Sequence, residues 1–181
     1  MLHPTDLGHK MIADLICNLL DTEYSYYKKL GAEKKPSLPE PFTASRYEDA
    51  QRFQNYSCSP VMEGFEPDTH AAEQWSDPFK GGWIAHKQGS CIKFNVSGSI
   101  IMLQYRKTIN KPAPVAYAVI DGDRQNKVLL DANFDEDWGD LCCLEEIYSG
   151  AEGEHTVEIV IDTEGKENSD FMLISVITAN K

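Results

Sequence analysis

From about Ser90 to the end of the chain, apolar and polar residues alternate at a period of two, and no helical stretch interrupts them. In SCIKFNV, Ile92, Phe94 and Val96 share one face; a strand points successive side chains to opposite sides, so one face of this run is destined for a core. After Ser97-Gly98, SIIMLQYRK reads as a second strand, and Asp121-Gly122 between two β-rich runs predicts a hairpin. HTVEIVID alternates Val157, Ile159 and Ile161, and FMLISVITA closes the chain. About five to eight short strands joined by turns can hide their apolar faces only against one another. The expected fold class is therefore mainly β, an antiparallel β-sandwich or jelly roll.

The beginning has a different period. Leu7, Met11, Ile12, Leu15, Ile16, Leu19 and Leu20 recur at helical spacing, with Pro4 ahead of the first turn and Thr5 or Asp6 placed to cap it. Tyr24, Tyr27 and Leu30 extend the stripe toward Gly31, a plausible stop. Burying seven such side chains is worth about 10–20 kcal/mol, so this amphipathic helix needs a partner surface. Pro36, Pro39 and Pro41 mark the stretch that follows as an extended linker. Ser45 and Glu48 form a capping-box pattern that predicts a short helix bearing Tyr47, Ala50 and Phe53. The expected organisation is a terminal helix over 1–30, a Pro-rich linker with a short helix over 31–60, and a β-sandwich over 61–181.

Composition excludes several partners. A net charge of −12 over 181 residues repels nucleic acid and anionic membrane surfaces, and no apolar run is long enough to span a bilayer. Cys17, Cys58, Cys91, Cys142 and Cys143 form no C-x-x-C pair, so reduced thiols, mostly buried, are expected in a reducing, cytoplasm-like compartment. No metal site and no cofactor is read from the sequence. The acidic residues Asp131, Asp135, Glu136, Asp137 and Asp140 do not fit an EF-hand loop and read as solvated.

The opening His3-Pro4-Thr5-x-x-Gly8-His9, followed at once by a helix, resembles the last block of SGNH/GDSL-type hydrolases, Asp-x-x-His-Pro-x-x-x-Gly-His. The resemblance covers about residues 1–30. It implies that His3 is the general base of a serine-hydrolase triad and that the helix closes an α/β/α domain. The family's Asp would fall one place before Met1, and no Gly-Asp-Ser block occurs in the chain. The triad's Ser and Asp are therefore expected outside this chain, Met1 is expected to be internal to a longer protein, and the chain alone is expected to be inactive. The stripe over residues 7–30 would then meet the missing hydrolase half, fold onto the sandwich, or pair with a second copy. His9 reads as structural.

A sandwich beside an esterase domain would serve to hold carbohydrate, where aromatic faces stack on sugar C–H surfaces. Trp75, Trp83, Trp138, Tyr105 and Tyr117 are the candidate platforms, with Trp83 and Tyr117 also reading as core residues. Trp138, in the acidic stretch NFDEDWGD, stands out because it falls in an expected loop. His155 reads as a strand-edge residue bonding locally, and no role is read for His70 or His86. The sequence thus supports an esterase fragment acting on acylated carbohydrate, or else a non-catalytic carbohydrate-binding or structural module.

Overall fold

A computed structural model describes residues 3–29, 45–47, 49–70, 77–163 and 167–180. The chain divides into two compact units, Met1–Thr43 and Ala44–Lys181. In the first, α1 runs Asp6–Lys29, with the Gly8 N–H donating to Thr5 Oγ1 at 3.3 Å as a helix cap. A Cβ on Gly8 would lie 3.0 Å from that of Pro4, so the small residue lets the proline pack over the first turn. None of the α1 residues is buried, and the stripe from Leu7 to Leu20 is exposed. Among the described residues no helix is long and apolar enough to cross a membrane. The expected stop at Gly31 and the proline stretch lie outside the described residues.

The second unit is an antiparallel sheet built on one long ribbon. β5 (Cys91–Lys107) pairs along its whole length with β8 (Leu141–Ile161), from Cys91 opposite Val160 to Lys107 opposite Leu141. Here the structure corrects the sequence reading: Ser97-Gly98 bends a single strand instead of ending it. Gly98 faces Gly153, and the register shifts between Gly98 and Ile100 and again between Ile101 and Met102. Such bulges raise the local twist and curve the ribbon. A Cβ on Gly98 would sit 3.1 Å from the Ala179 carbonyl, so the close pass of the last strand leaves little room for a side chain there.

Each arm of the ribbon carries its own strands. On the Cys91 arm, β2 (Val61–Glu63) flanks β5, while β6 (Val115–Ile120) and β7 (Val128–Asp131) extend the sheet from β8. Between β6 and β7, Asp121 and Gly122 both take positive φ, 51° and 77°, as the hairpin signal requires. On the Lys107 arm, β9 (Phe171–Ala179) pairs with β5, and its outer edge is shared by β1 (Gln51–Phe53) and β4 (Trp83–Ala85), with β3 (Phe65–Pro67) beyond. Residues from both arms enter one apolar core: Trp83 of β4 meets Phe94 of β5 edge-on at 5.0 Å, surrounded by Leu103, Val157 and Leu173. The architecture is the expected β-sandwich with one N-terminal helix.

The short helix expected after Ser45 does not form. Ser45 Oγ accepts from the Tyr47 N–H at 3.2 Å and the Ala50 N–H donates to the Tyr47 carbonyl at 3.2 Å, a turn that delivers residues 51–53 to the edge of β9. Strand pairing satisfies more backbone groups there than one isolated helical turn would. The cysteines also depart from expectation: none of the five is buried, Cys17 being exposed and the others half-buried and unpaired.

Candidate functional site

Because the ribbon is bent, its two tips and the loops that follow them gather at one end of the sandwich. The loop leading to Trp138 is pinned there by its own side chains. Asn133 Nδ2 donates to Asp131 at 2.6 Å and to the Ala113 carbonyl at 3.2 Å, while Asn133 Oδ1 accepts from the Ala113 N–H at 2.9 Å. The Thr108 N–H donates to the Ala132 carbonyl, and the Phe134 N–H returns a bond to the Thr108 carbonyl. Lys111 pairs with Asp135, and Asp140 accepts from the Ile109 N–H at 3.4 Å and faces Arg106 at 3.8 Å. Between these anchors Trp138 is 64% exposed, its ring set edge-on to Phe134 at 5.1 Å. Gly139 next to it takes φ 137°, a backbone region that an L side chain rarely enters. Asp131, Asp135 and Asp140 are thus engaged as anchors, while Glu136 and Asp137 stand exposed.

Arg106 also donates to the Asp170 carbonyl at 3.4 Å, and the Asn168 N–H donates to the Pro112 carbonyl at 2.8 Å. These bonds tie the Trp138 loop to a polar hollow of about 260 Å³, lined by His86, Lys87, Thr163, Asn168 and Asp170 among others. His86 sits between two carboxylates, Nδ1 2.6 Å from Asp170 and Nε2 3.1 Å from Glu66. The bond to Asp170, then that to Glu66, raises the His86 pKa above its ordinary value. No local pattern signals this cluster, since Glu66 and Asp170 lie 20 and 84 positions from His86 and become neighbours only in the folded sheet.

The raised pKa has a signed consequence. A group whose pKa is higher in the folded state stabilises the fold fully below its unfolded pKa, about 6.5 for histidine, and loses that contribution as pH climbs through the folded value. The protein is expected to be more stable than its His86→Gln variant at mildly acid pH, and the gap should close toward alkaline pH. Since His86 is about half exposed, solvent screening keeps the gap small. Paired thermal melts across that range check it; a gap that widens with pH contradicts the assignment.

The other sequence-derived candidates separate cleanly. Trp83 is 1% exposed, so its faces are spent on the core and cannot stack on a sugar; this corrects its reading as a binding platform. Tyr105 is likewise buried, stacked on Phe171 at 5.9 Å, and Tyr117 is capped by Lys127, whose Nζ lies 3.4 Å from the ring centroid. Trp75 lies outside the described residues. His3 is exposed immediately before α1, and His9, whose N–H donates to the Thr5 carbonyl at 2.9 Å, belongs to the first turn. Among the described residues no three His, Cys, Asp or Glu side chains converge to hold a metal ion.

The chain matches no family model and no curated protein. Among solved structures it is similar, over 99% of its length, to a two-domain esterase (CEX) active on acetylated mannans, at 40% identity and a TM-score of 0.85. The same esterase co-crystallized with mannopentaose matches at 41% identity and 0.82, again over 99% of this chain. These structural neighbours are carbohydrate esterases. The chain spans about half of each, 49% and 48%. A family two carbohydrate esterase from Cellvibrio japonicus matches 73% of this chain and 34% of its own at 15% identity and a TM-score of 0.52, a likeness of fold alone.

Proposed function

We propose that this chain is one part of a two-domain carbohydrate esterase of the SGNH type, in which the sandwich holds an acylated mannan-type polysaccharide. His3, as general base, activates a serine supplied from outside the described chain. The observation that carries the reading is the likeness to the esterase active on acetylated mannans, which extends over 99% of the chain and so takes in the helix as well as the sandwich. The His3-Pro4…Gly8-His9 block gives the catalytic half of the proposal its chemistry: an imidazole placed to take a hydroxyl proton, with a carboxylate partner fixing its tautomer. The exposed stripe of α1 is then the surface on which the hydrolase domain closes.

Trp138 supports the glycan half. It is a large exposed aromatic held rigidly by a bonded loop, and a rigid platform gives up little conformational freedom when a sugar stacks on it. In affinity electrophoresis through acetylated mannan, Trp138→Ala is expected to bind about tenfold more weakly, which corresponds to about 1.4 kcal/mol. Its melting temperature should stay near that of the parent chain. Equal retention of the two proteins would remove Trp138 from the glycan surface.

A further inference from the structure

At the bend of the ribbon, away from Trp138, a second hollow of about 300 Å³ lies between the β6–β7 connection and β8, lined by Ile120, Asp121, Asp123, Asn126, Ile147 and Tyr148. One wall is an aromatic ring. Tyr148 packs against His155 with centroids 4.2 Å apart, and its hydroxyl donates to the Ala151 carbonyl at 3.0 Å, so the ring is fixed at both ends. A Cβ on Gly150 would come 2.5 Å from that hydroxyl, so this ring position exists only because residue 150 is glycine.

The rest of the lining includes polar groups that are already oriented. Asp121 accepts from His155 Nδ1 at 2.8 Å and from the Thr156 N–H at 2.8 Å. Asp123 accepts from the N–H groups of Gln125 and Asn126 at 3.1 and 3.3 Å and from Asn126 Nδ2 at 2.7 Å. Bonding to His155 and then to Thr156 lowers the Asp121 pKa, and bonding to Asn126 and then to Gln125 lowers that of Asp123, so both stay ionised at neutral pH. Fixed carboxylates and an amide beside an aromatic wall are the groups that bind vicinal hydroxyls. Two negative charges repel uronate or sulfated sugars. The N–H donors already held by Asp123 compete with any cation.

We propose that this hollow is a second glycan contact, taking one neutral pyranose unit of the same polysaccharide, with Tyr148 as its platform and Asp121, Asp123 and Asn126 as hydroxyl partners. The inference rests on the glycan-holding reading of the sandwich. It places two contacts at opposite ends of the unit, so that a long chain gains from both and a short one from either.

The test is an NMR titration of the 181-residue chain with mannopentaose, following the Trp138 indole and the Asn126 side-chain amide, alongside affinity electrophoresis in soluble mannan. The expected result is a saturating shift of the Asn126 amide that survives Trp138→Ala and is lost in Tyr148→Ala. Retention on mannan should fall about 3- to 10-fold for Tyr148→Ala, and also for Gly150→Ala, which displaces the ring without cutting it away. Shifts confined to Trp138, with Tyr148→Ala and Gly150→Ala both retained as the parent, overturn the second site and leave the glycan reading standing. No shift and no retention in the parent chain overturns both. An Asn126 shift abolished by EDTA would mean a cation site instead and overturn the assignment.

Discussion

Replacing Trp83 by Ala is expected to lower the unfolding free energy by about 3–5 kcal/mol, a large share of the 5–15 kcal/mol typical of a whole domain. The indole is 1% exposed, sits on β4 opposite Leu173, and touches Phe94 on the far arm of the ribbon. It is therefore one of the side chains that hold the two arms of the sandwich together. Its loss removes apolar burial and leaves a cavity that the two hydrogen-bonded arms of the bent sheet cannot close. Trp138→Ala removes the same side chain from a site that is 64% exposed, and its stability should change by no more than about 0.5 kcal/mol. Urea unfolding of the two variants separates a structural tryptophan from a binding one. A Trp83→Ala protein of parental stability would put the indole outside the core.

That pair of tryptophans also marks where the sequence was informative. The acidic stretch around Trp138 marks a loop, but nothing local to Trp83 decides between core and platform; its burial depends on β4 lying against β9, where Trp83 pairs with Leu173 ninety positions on. The long alternating runs were readable because a strand with one face in a core imposes its period on the residues themselves. The first part of β8, LCCLEEIYS, was missed because it is half-exposed on both faces and so carries no clean alternation. β1 to β4 are three residues each, too short for any period to show. Ser97-Gly98 reads as a break between two strands where one bent strand runs through, since glycine marks a strand end, a bulge and a close backbone pass alike. His86 and Tyr148 owe their surroundings to long-range pairing and to a glycine two residues away, and neither leaves a local signal.

In the protein as its gene encodes it, His3→Ala is expected to cut acetate release from acetylated mannan by about 10²- to 10⁴-fold, the usual contribution of a positioned general base. The loss should fall on kcat, while retention on mannan stays unchanged, because His3 stands ahead of α1 and the proposed glycan contacts are on the sandwich. His9→Ala is the matching control. It removes an imidazole six residues away whose backbone, and not its ring, closes the first turn of the helix. A His3-specific loss assigns the opening block its catalytic role. Equal activity in His3→Ala and the parent would leave the block as a helix start and move the base elsewhere. A parent protein that holds mannan and releases no acetate would have kept the binding half of the proposed esterase without its chemistry, and the apolar stripe of α1 would then need a different partner.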